Sequence, residues 1–313
     1  MERITREANV PELFDVLTNQ LSPTDLQSLL LEVFRHRAEG RTPKAVLEQY
    51  RENRFVHPAT ADPRRLLAWD TRAFSLLSAD FEIIELSPVC PLGTNSAVAA
   101  VSQNKVLTTT RNTEVVADAT NVLALECARR IAALPERNSA SRPAVKLCAS
   151  HRVLRTQFFN APGMSQHFRL LSLVTAGRDT GSSRFETDTL TEHLRYYLRL
   201  VEALREAGYS PGAIRVTLTA FEPTLTPVLQ ERVMDILTEE FPAVTLAFDP
   251  ERTQARGYYV SAGFHIYISD STGKEHFLAD GGFTNWTQHL LNNKKERLLI
   301  SGMGSERFVT CFS

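Results

Sequence analysis

This chain lacks any apolar run of the length, about 20 residues, that a membrane-spanning helix requires. Its first residues, MERITREANVPELF, are charged and lack the apolar centre of a secretory signal. We therefore expect a cytoplasmic protein with no membrane partner. Cysteine is scarce, and no CxxC pair occurs, so we expect neither a zinc site nor a disulfide framework. The four cysteines are Cys90, Cys127, Cys148 and Cys311.

Strong net charge and the common nucleotide-binding loops are also missing. Lys plus Arg number 35 against 36 for Asp plus Glu, which gives a net charge of −1. This balance argues against strong non-specific binding of nucleic acid, because such binding needs a basic surface. No GxGxxG or GxxxxGK[ST] sequence occurs, and the sequence GYSPG at residues 208–212 follows a predicted helix, whereas a GxSxG nucleophile elbow follows a strand. Rossmann and P-loop nucleotide sites and a hydrolase nucleophile elbow are therefore not expected.

What the chain does have is the composition of a folded protein, with 313 residues of which 43% are hydrophobic and 23% charged. Residues 1–56 show helical spacing of apolar residues, with a start signal at Ser22-Pro23 and a stop signal at Gly40. From residue 57 to 313, helical and strand-like stretches alternate. We predict an α+β fold in which an antiparallel sheet is flanked by helices, preceded by an N-terminal helical segment.

Several stretches of this second part have a definite predicted structure. Residues 105–110 have the composition of a short strand, and residues 113–134 have the pattern of one long helix. Residues 144–155 and 167–177 are predicted strands joined by a turn at 158–166. A further strand is predicted over 255–270.

Three segments carry a resemblance to a known family. A predicted helix is followed by FEIIELSPV with its Pro88. Next comes the hairpin of SHRVLR and HFRLLSLVTAG. Last comes LLISGM followed by GSERF, residues 304–308. In this order they resemble motifs 1, 2 and 3 of the class II aminoacyl-tRNA synthetase core, over roughly residues 63–312. YYVSAGF and DGGFTNW resemble the histidyl-tRNA synthetase branch, which includes its regulatory paralogue.

The resemblance implies a site for ATP and Mg²⁺, where an acid is activated as an adenylate. It places Arg152 at the α-phosphate, Arg307 at the γ-phosphate and Phe168 against adenine, with His151 beside the phosphates. Arginine suits this work because its planar guanidinium binds phosphate oxygens in pairs and stays protonated. The alternative is that both arginines are surface or ion-paired residues and Phe168 belongs to the core.

The resemblance also implies residues around the activated acid. Arg111 and Glu114 resemble the element that meets an ammonium group, with the acid one residue late. Glu114 is equally well explained as a first-turn acid that complements a helix dipole. Arg256 resembles the branch's catalytic arginine, with two intervening residues missing. The acid's pocket would also include Tyr258, Tyr259, Gly281 and Gly282. Strand packing and a tight turn explain these four equally well.

Three positions depart from the family's pattern. Leu154 stands where motif 2 has a glutamate that reads adenine. Leu170 and Val174 stand where the histidyl branch has polar residues for its substrate. An apolar wall gives an imidazole no hydrogen-bond partner, so histidine is not the expected ligand.

Three functions remain open, and the retained pair of Arg152 and Arg307 favours the first. The first is a stand-alone enzyme that activates a small amino or carboxylic acid with ATP and passes it to an acceptor other than tRNA. The second is a catalytically silent paralogue that senses an amino acid. The third is a structural dimer. We expect a homodimer, because motif 1 is the family's dimer surface. We expect no anticodon-binding domain, because few residues follow Arg307.

Overall fold

A computed structural model describes residues 1–139, 141–158 and 165–313. The helices, in chain order, are α1 Glu2–Glu7, α2 Leu13–Asp15, α3 Pro23–Glu39, α4 Pro43–Glu52, α5 Pro63–Ser75, α6 Ala119–Ala133, α7 Arg184–Glu206, α8 Thr226–Leu229, α9 Asp235–Glu240, α10 Trp286–Leu291 and α11 Ser305–Phe312. The strands are β1 Phe81–Ile83, β2 Val89–Pro91, β3 Thr113–Val115, β4 Val145–Leu154, β5 His167–Arg178, β6 Ile214–Ala220, β7 Val244–Phe248, β8 Ala262–Ser269, β9 Glu275–Thr284 and β10 Glu296–Met303.

The α+β prediction is confirmed. Eight strands form one sheet in the order β1-β4-β5-β10-β9-β8-β6-β7, and β2 pairs with β3 separately. The large sheet is mostly antiparallel, but its two outermost pairs, β1 with β4 and β6 with β7, are parallel.

Helix α3 begins and ends where the sequence signals predict. The Ser22 side chain accepts a hydrogen bond from the backbone N–H of Asp25 at 3.1 Å, and α3 ends at Gly40. Neither α3 nor α4 has a buried residue. Arg54, just after α4, donates from Nη2 to the carbonyl oxygen of Thr156 at 2.8 Å, which ties this segment to the end of β4.

Two hydrophobic clusters cover the two faces of the sheet. One contains α5, α7 and α11 residues with Cys148, Leu171 and Leu173. The other contains α6 residues with Leu147 and Val174. Neighbouring residues of β4 and β5 thus belong to opposite clusters, because successive side chains of a strand alternate between faces. This alternation decides which side chains reach the candidate site.

Some sequence predictions are corrected. Residues 105–110 form no strand, and only Thr108 makes an isolated bridge, to Glu114. The predicted helix over 113–134 is divided, because 113–115 pair as β3 and the helix starts after Asp118, whose side chain caps it. The strand predicted from 255 begins only at Ala262. Most of the predicted turn, residues 159–164, lies outside the described residues.

Among the described residues, the structure contains no helix that is both long enough and apolar enough to cross a membrane.

Candidate functional site

A cavity of about 390 Å³ lies on the α6 face of the sheet. Its walls come from β5, β9 and β10, from the start of α6, and from the loop that precedes β8. This volume is in the range of pockets that bind small molecules.

The floor of the cavity is apolar. Leu170 of β5, Leu278 of β9 and Ile300 of β10 line it, and Phe168 stands at the β5 end. The sequence predicted an apolar wall at Leu170, and the side chain lies there. Val174 is fully buried and does not line the cavity. The floor therefore suits an apolar or aromatic part of a ligand.

Three basic side chains, Lys105, Arg155 and Arg307, line the cavity. Arg155 pairs with Asp118 at 3.2 Å, and its guanidinium lies 5.2 Å from the centre of the Phe168 ring. Lys105 and Arg307 have no ion-pair partner within the described parts of the chain, and the buried Nε of Arg307 has no hydrogen-bond partner there. Because an unpaired buried donor is costly, this arrangement favours an anionic ligand.

Two carboxylates, Asp118 and Asp280, also line the cavity. Asp118 caps α6 and accepts hydrogen bonds from the N–H and the hydroxyl of Thr120 at 3.0 and 2.8 Å. Asp280 accepts a hydrogen bond from the hydroxyl of Tyr259. Burial raises the pKa of Asp280, and it raises the pKa of the lining residues Tyr258 and Tyr259 well above the ordinary value. Both tyrosines therefore remain neutral hydrogen-bonding groups.

The expectation for Arg152 is corrected, because this arginine does not line the cavity. Its Nη1 lies 3.0 Å from Oε2 of Glu306 and 3.0 Å from Nδ1 of His167. The strand register gives the reason. Val153 is the residue opposite Phe168, so Arg152 has the other parity and points to the opposite face of the sheet.

His151 has the same parity as Val153 but does not line the cavity either. It is buried, and its Nε2 has no hydrogen-bond partner among the residues described. Burial lowers the pKa of His151, so this imidazole is neutral at physiological pH and is no charged phosphate ligand.

The expected ammonium-binding element also lies outside the cavity. The carboxylate of Glu114 accepts hydrogen bonds from the N–H groups of Gly93 and Asn95 at 3.0 and 2.8 Å and from Nε2 of Gln103 at 2.6 Å. It is 1% exposed and holds this turn together. Arg111 is exposed in the loop before β3.

Arg256 and the two glycines do not line the cavity. Arg256 is exposed, with its guanidinium 6.0 Å from the ring centre of Phe221. Gly281 and Gly282 lie within β9. A Cβ added at Gly282 would lie 2.6 Å from the Tyr259 ring, and one at Gly281 would lie 2.5 Å from Phe264. Close packing of aromatic rings explains both glycines.

No protein-family model matches the chain, and no curated protein matches it in sequence. Solved structures do match. An ATP phosphoribosyltransferase regulatory subunit/histidyl-tRNA synthetase from Bacillus halodurans C has 12% identity and a TM-score of 0.58, with 83% of each chain covered. A histidine–tRNA ligase subunit from Alicyclobacillus acidocaldarius has 13% identity and a TM-score of 0.55 over 81% of this chain and 95% of that one. The S. aureus histidyl-tRNA synthetase has 12% identity and a TM-score of 0.54 over 79% of this chain.

The chain is therefore similar in fold to the class II aminoacyl-tRNA synthetase core. It spans 64% of the length of the S. aureus enzyme and 63% of a threonyl-tRNA synthetase chain from Cryptosporidium parvum. At these identities the likeness concerns the fold.

The residues of this synthetase-like core fit an anion better than a metal. The unpartnered Nε of Arg307 and the stacked Phe168 and Arg155 suit a phosphate or carboxylate beside a planar group. For Mg²⁺ the cavity offers Asp118 and Asp280, and no group of three or more metal-ligating side chains occurs in the described chain. The described residues therefore provide no complete magnesium site of their own, and Mg²⁺ held there would need phosphate oxygens as further ligands.

Sequence reasoning identified Phe168, Tyr258, Tyr259 and Arg307 as site residues, and all four line the cavity. It missed the four charged residues Lys105, Asp118, Arg155 and Asp280. Three of them lie in segments that carried a signal: Arg155 ends SHRVLR, Asp280 begins DGGFTNW, and Asp118 begins Asp-Ala-Thr, which in front of an apolar-periodic run is typical of a helix start.

Proposed function

We propose that the cavity binds a small amino or carboxylic acid, and that the chain acts as a synthetase-like sensing subunit. The observation that carries this proposal is that Lys105 and Arg307, beside an apolar floor, have no ion-pair partner among the residues that the structure describes. A ligand carboxylate would pair with these cations. Asp118 would attract an ammonium group, and Leu170 and Ile300 would contact an apolar side chain.

The position of Arg152 favours sensing over activation. Adenylate formation needs positive charge on the phosphate that the acid attacks, and the family resemblance assigned that work to Arg152. Its guanidinium is paired with Glu306 on the other face of the sheet. Leu154 leaves the expected adenine-reading position apolar as well.

A second candidate is ATP-dependent activation of the same acid, with Mg²⁺ on the phosphates and transfer to an acceptor other than tRNA. One observation favours it: Phe168 and Arg155 form a stacking surface suited to a purine, next to Arg307. In that case Arg155 and Arg307 would neutralise the phosphates in place of Arg152.

The proposal is tested by melting the full chain with each common amino acid and with simple carboxylic acids. A ligand present at about 100 times its Kd adds about 2.7 kcal/mol of stability, which raises the Tm by several degrees. We expect Arg307→Gln to abolish this rise and Arg152→Gln, the matched control outside the cavity, to retain it. The binding proposal fails if no acid raises the Tm, or if the rise survives Arg307→Gln.

A second assay separates sensing from activation. Acid-dependent exchange of labelled pyrophosphate into ATP, with magnesium present, reports adenylate formation. No exchange with an acid that raises the Tm supports the sensor. Exchange that is lost in Arg307→Gln supports activation instead. We also propose a homodimer, which light scattering at micromolar concentration tests directly.

A further inference from the structure

Helix α11 brings a thiol next to a histidine that no part of the proposed function uses. The Sγ of Cys311 lies 3.6 Å from Nδ1 of His276 on β9. The other ring nitrogen, Nε2, lies 2.7 Å from Oδ2 of Asp270. A nucleophile, a base and an orienting carboxylate are thus connected in series, which is the arrangement that activates a thiol.

The carboxylate of this series is held in place before any reaction. Asp270 begins the turn between β8 and β9, and its Oδ1 accepts hydrogen bonds from the N–H and the hydroxyl of Thr272 at 2.9 and 2.6 Å and from the N–H of Lys274 at 3.2 Å. These bonds and the one from His276 hold the pKa of Asp270 well below its usual range. Oδ2 therefore remains ionised and directed at His276.

The imidazole is also fixed, so that one nitrogen is left for the thiol. The ring of His276 packs at 87° to the ring of Phe312, with centroids 5.8 Å apart. Since Nε2–H donates to Asp270, Nδ1 is the nitrogen that carries a free lone pair. That lone pair lies within hydrogen-bond reach of the Cys311 thiol.

Cys311 differs from the other cysteines in access. It is only partly buried, whereas Cys90, Cys127 and Cys148 are buried. Burial raises the pKa of the Cys311 thiol, and the Arg307 guanidinium acts in the opposite direction. The thiol is thus protonated at rest, and its reactivity depends on a base. The charged groups that act on it are Arg307 on α11 and Asp270 and Lys274 of the turn.

We propose that Cys311 is a nucleophilic site for thiol–disulfide exchange with low-molecular-weight disulfides, with His276 as its general base and Asp270 as a positioning residue. His276 Nδ1 takes the thiol proton, and the thiolate attacks one sulfur of the disulfide. A Cys311–sulfur bond forms while the reagent's S–S bond breaks, and the released thiolate takes up a proton. Cys311 is oxidised to a mixed disulfide, and the reagent is reduced to one thiol. The site needs no ligand in the cavity, so its test is independent of the proposed function.

The test uses dithiodipyridine on the full chain, with absorbance to follow the released thiopyridine and mass spectrometry to locate the modified cysteine. We expect Cys311 to react first, and Cys311→Ser to remove the fast phase. At neutral pH, His276→Gln should slow this phase about 100-fold, the usual lower range for general-base catalysis. Asp270→Asn should slow it about tenfold.

A pH profile distinguishes activation from mere exposure. The wild-type rate should rise in a step below the ordinary thiol pKa of about 8.5, because only a neutral imidazole can accept the thiol proton, and His276→Gln should lack this step. Equal rates in the wild type and in a His276→Gln variant of unchanged Tm would overturn the proposal. A wild-type rate profile without the step would also overturn the proposal. This measurement needs no variant, so it remains valid even if a variant fails to fold.

Discussion

The buried ion pair between Arg142 and Glu296 allows a stability prediction of definite size. Nη2 of Arg142 lies 2.8 Å from Oε2 of Glu296, and each side chain is 1% exposed. Arg178 approaches the same carboxylate at 3.7 Å. Glu296→Ala would leave a buried guanidinium without its carboxylate, and breaking such a pair costs about 3–5 kcal/mol. At about 2 °C per kcal/mol for a chain of this size, we expect the Tm to fall by about 6–10 °C.

Calorimetry of three variants checks this reasoning. Glu7→Ala is the control, because it removes an exposed ion pair: Arg3 and Glu7 are 2.6 Å apart, and their side chains are 73% and 65% exposed. This variant should lose less than about 0.5 kcal/mol of unfolding free energy. The double variant Arg142→Met/Glu296→Leu should recover much of the lost stability, since it leaves neither member of the pair uncompensated. If Glu296→Ala loses less than about 1 kcal/mol of unfolding free energy, the pair of Arg142 and Glu296 is not a buried, desolvated ion pair and the reasoning is refuted.

Two further predictions concern packing and pH. Gly282→Ala should lower stability by about 1–3 kcal/mol, because its Cβ would lie 2.6 Å from the Tyr259 ring. Gly40→Ala, whose Cβ would meet nothing nearer than 4.0 Å, should not lower it, and equal urea midpoints for the two variants would contradict the packing argument. Burial lowers the pKa of His193 to about 3 from 6.5. Below about pH 6.5 the His193 side chain is protonated in the unfolded chain but stays neutral in the folded chain. The free energy of unfolding therefore falls by about 1.4 kcal/mol per pH unit as the pH drops toward 3. Urea titrations between pH 6 and 4 measure this dependence. If the free energy of unfolding of His193→Gln falls with pH as steeply as that of the wild type, His193 is not the cause.

The helices and long strands were predictable because their signals are local. Ser22-Pro23 marks the start of α3 and Gly40 its end. Gly208, with a φ of +93°, lies just after the end of α7. The strand pair of β4 and β5 follows from two apolar, β-rich runs in the sequence, residues 144–155 and 167–177. Short elements were not predictable: β3 covers three residues, and pairing with β2, which is distant in sequence, decides its conformation.

The candidate site was predictable only in part, because its members are brought together by the sheet. Phe168 and Arg307 lie in recognisable segments, and both line the cavity. Asp280 begins DGGFTNW, where the resemblance singled out the two glycines, and Lys105 begins a run predicted as a strand, so neither was identified as a site residue. Arg152 was assigned by its place in a motif, but a displacement of one residue in a strand moves a side chain to the opposite face.

The sequence by itself determined the fold class, the order of the main elements and the absence of the common nucleotide-binding loops, since each depends on residues close together in the chain. Only the tertiary structure decided that Arg155 lies in the cavity and Arg152 at Glu306, and that Cys311 meets His276, which in turn contacts Asp270. Strand register and the packing of α11 against the sheet set these contacts. Both depend on the summed burial of many residues far apart in sequence, which no single motif encodes.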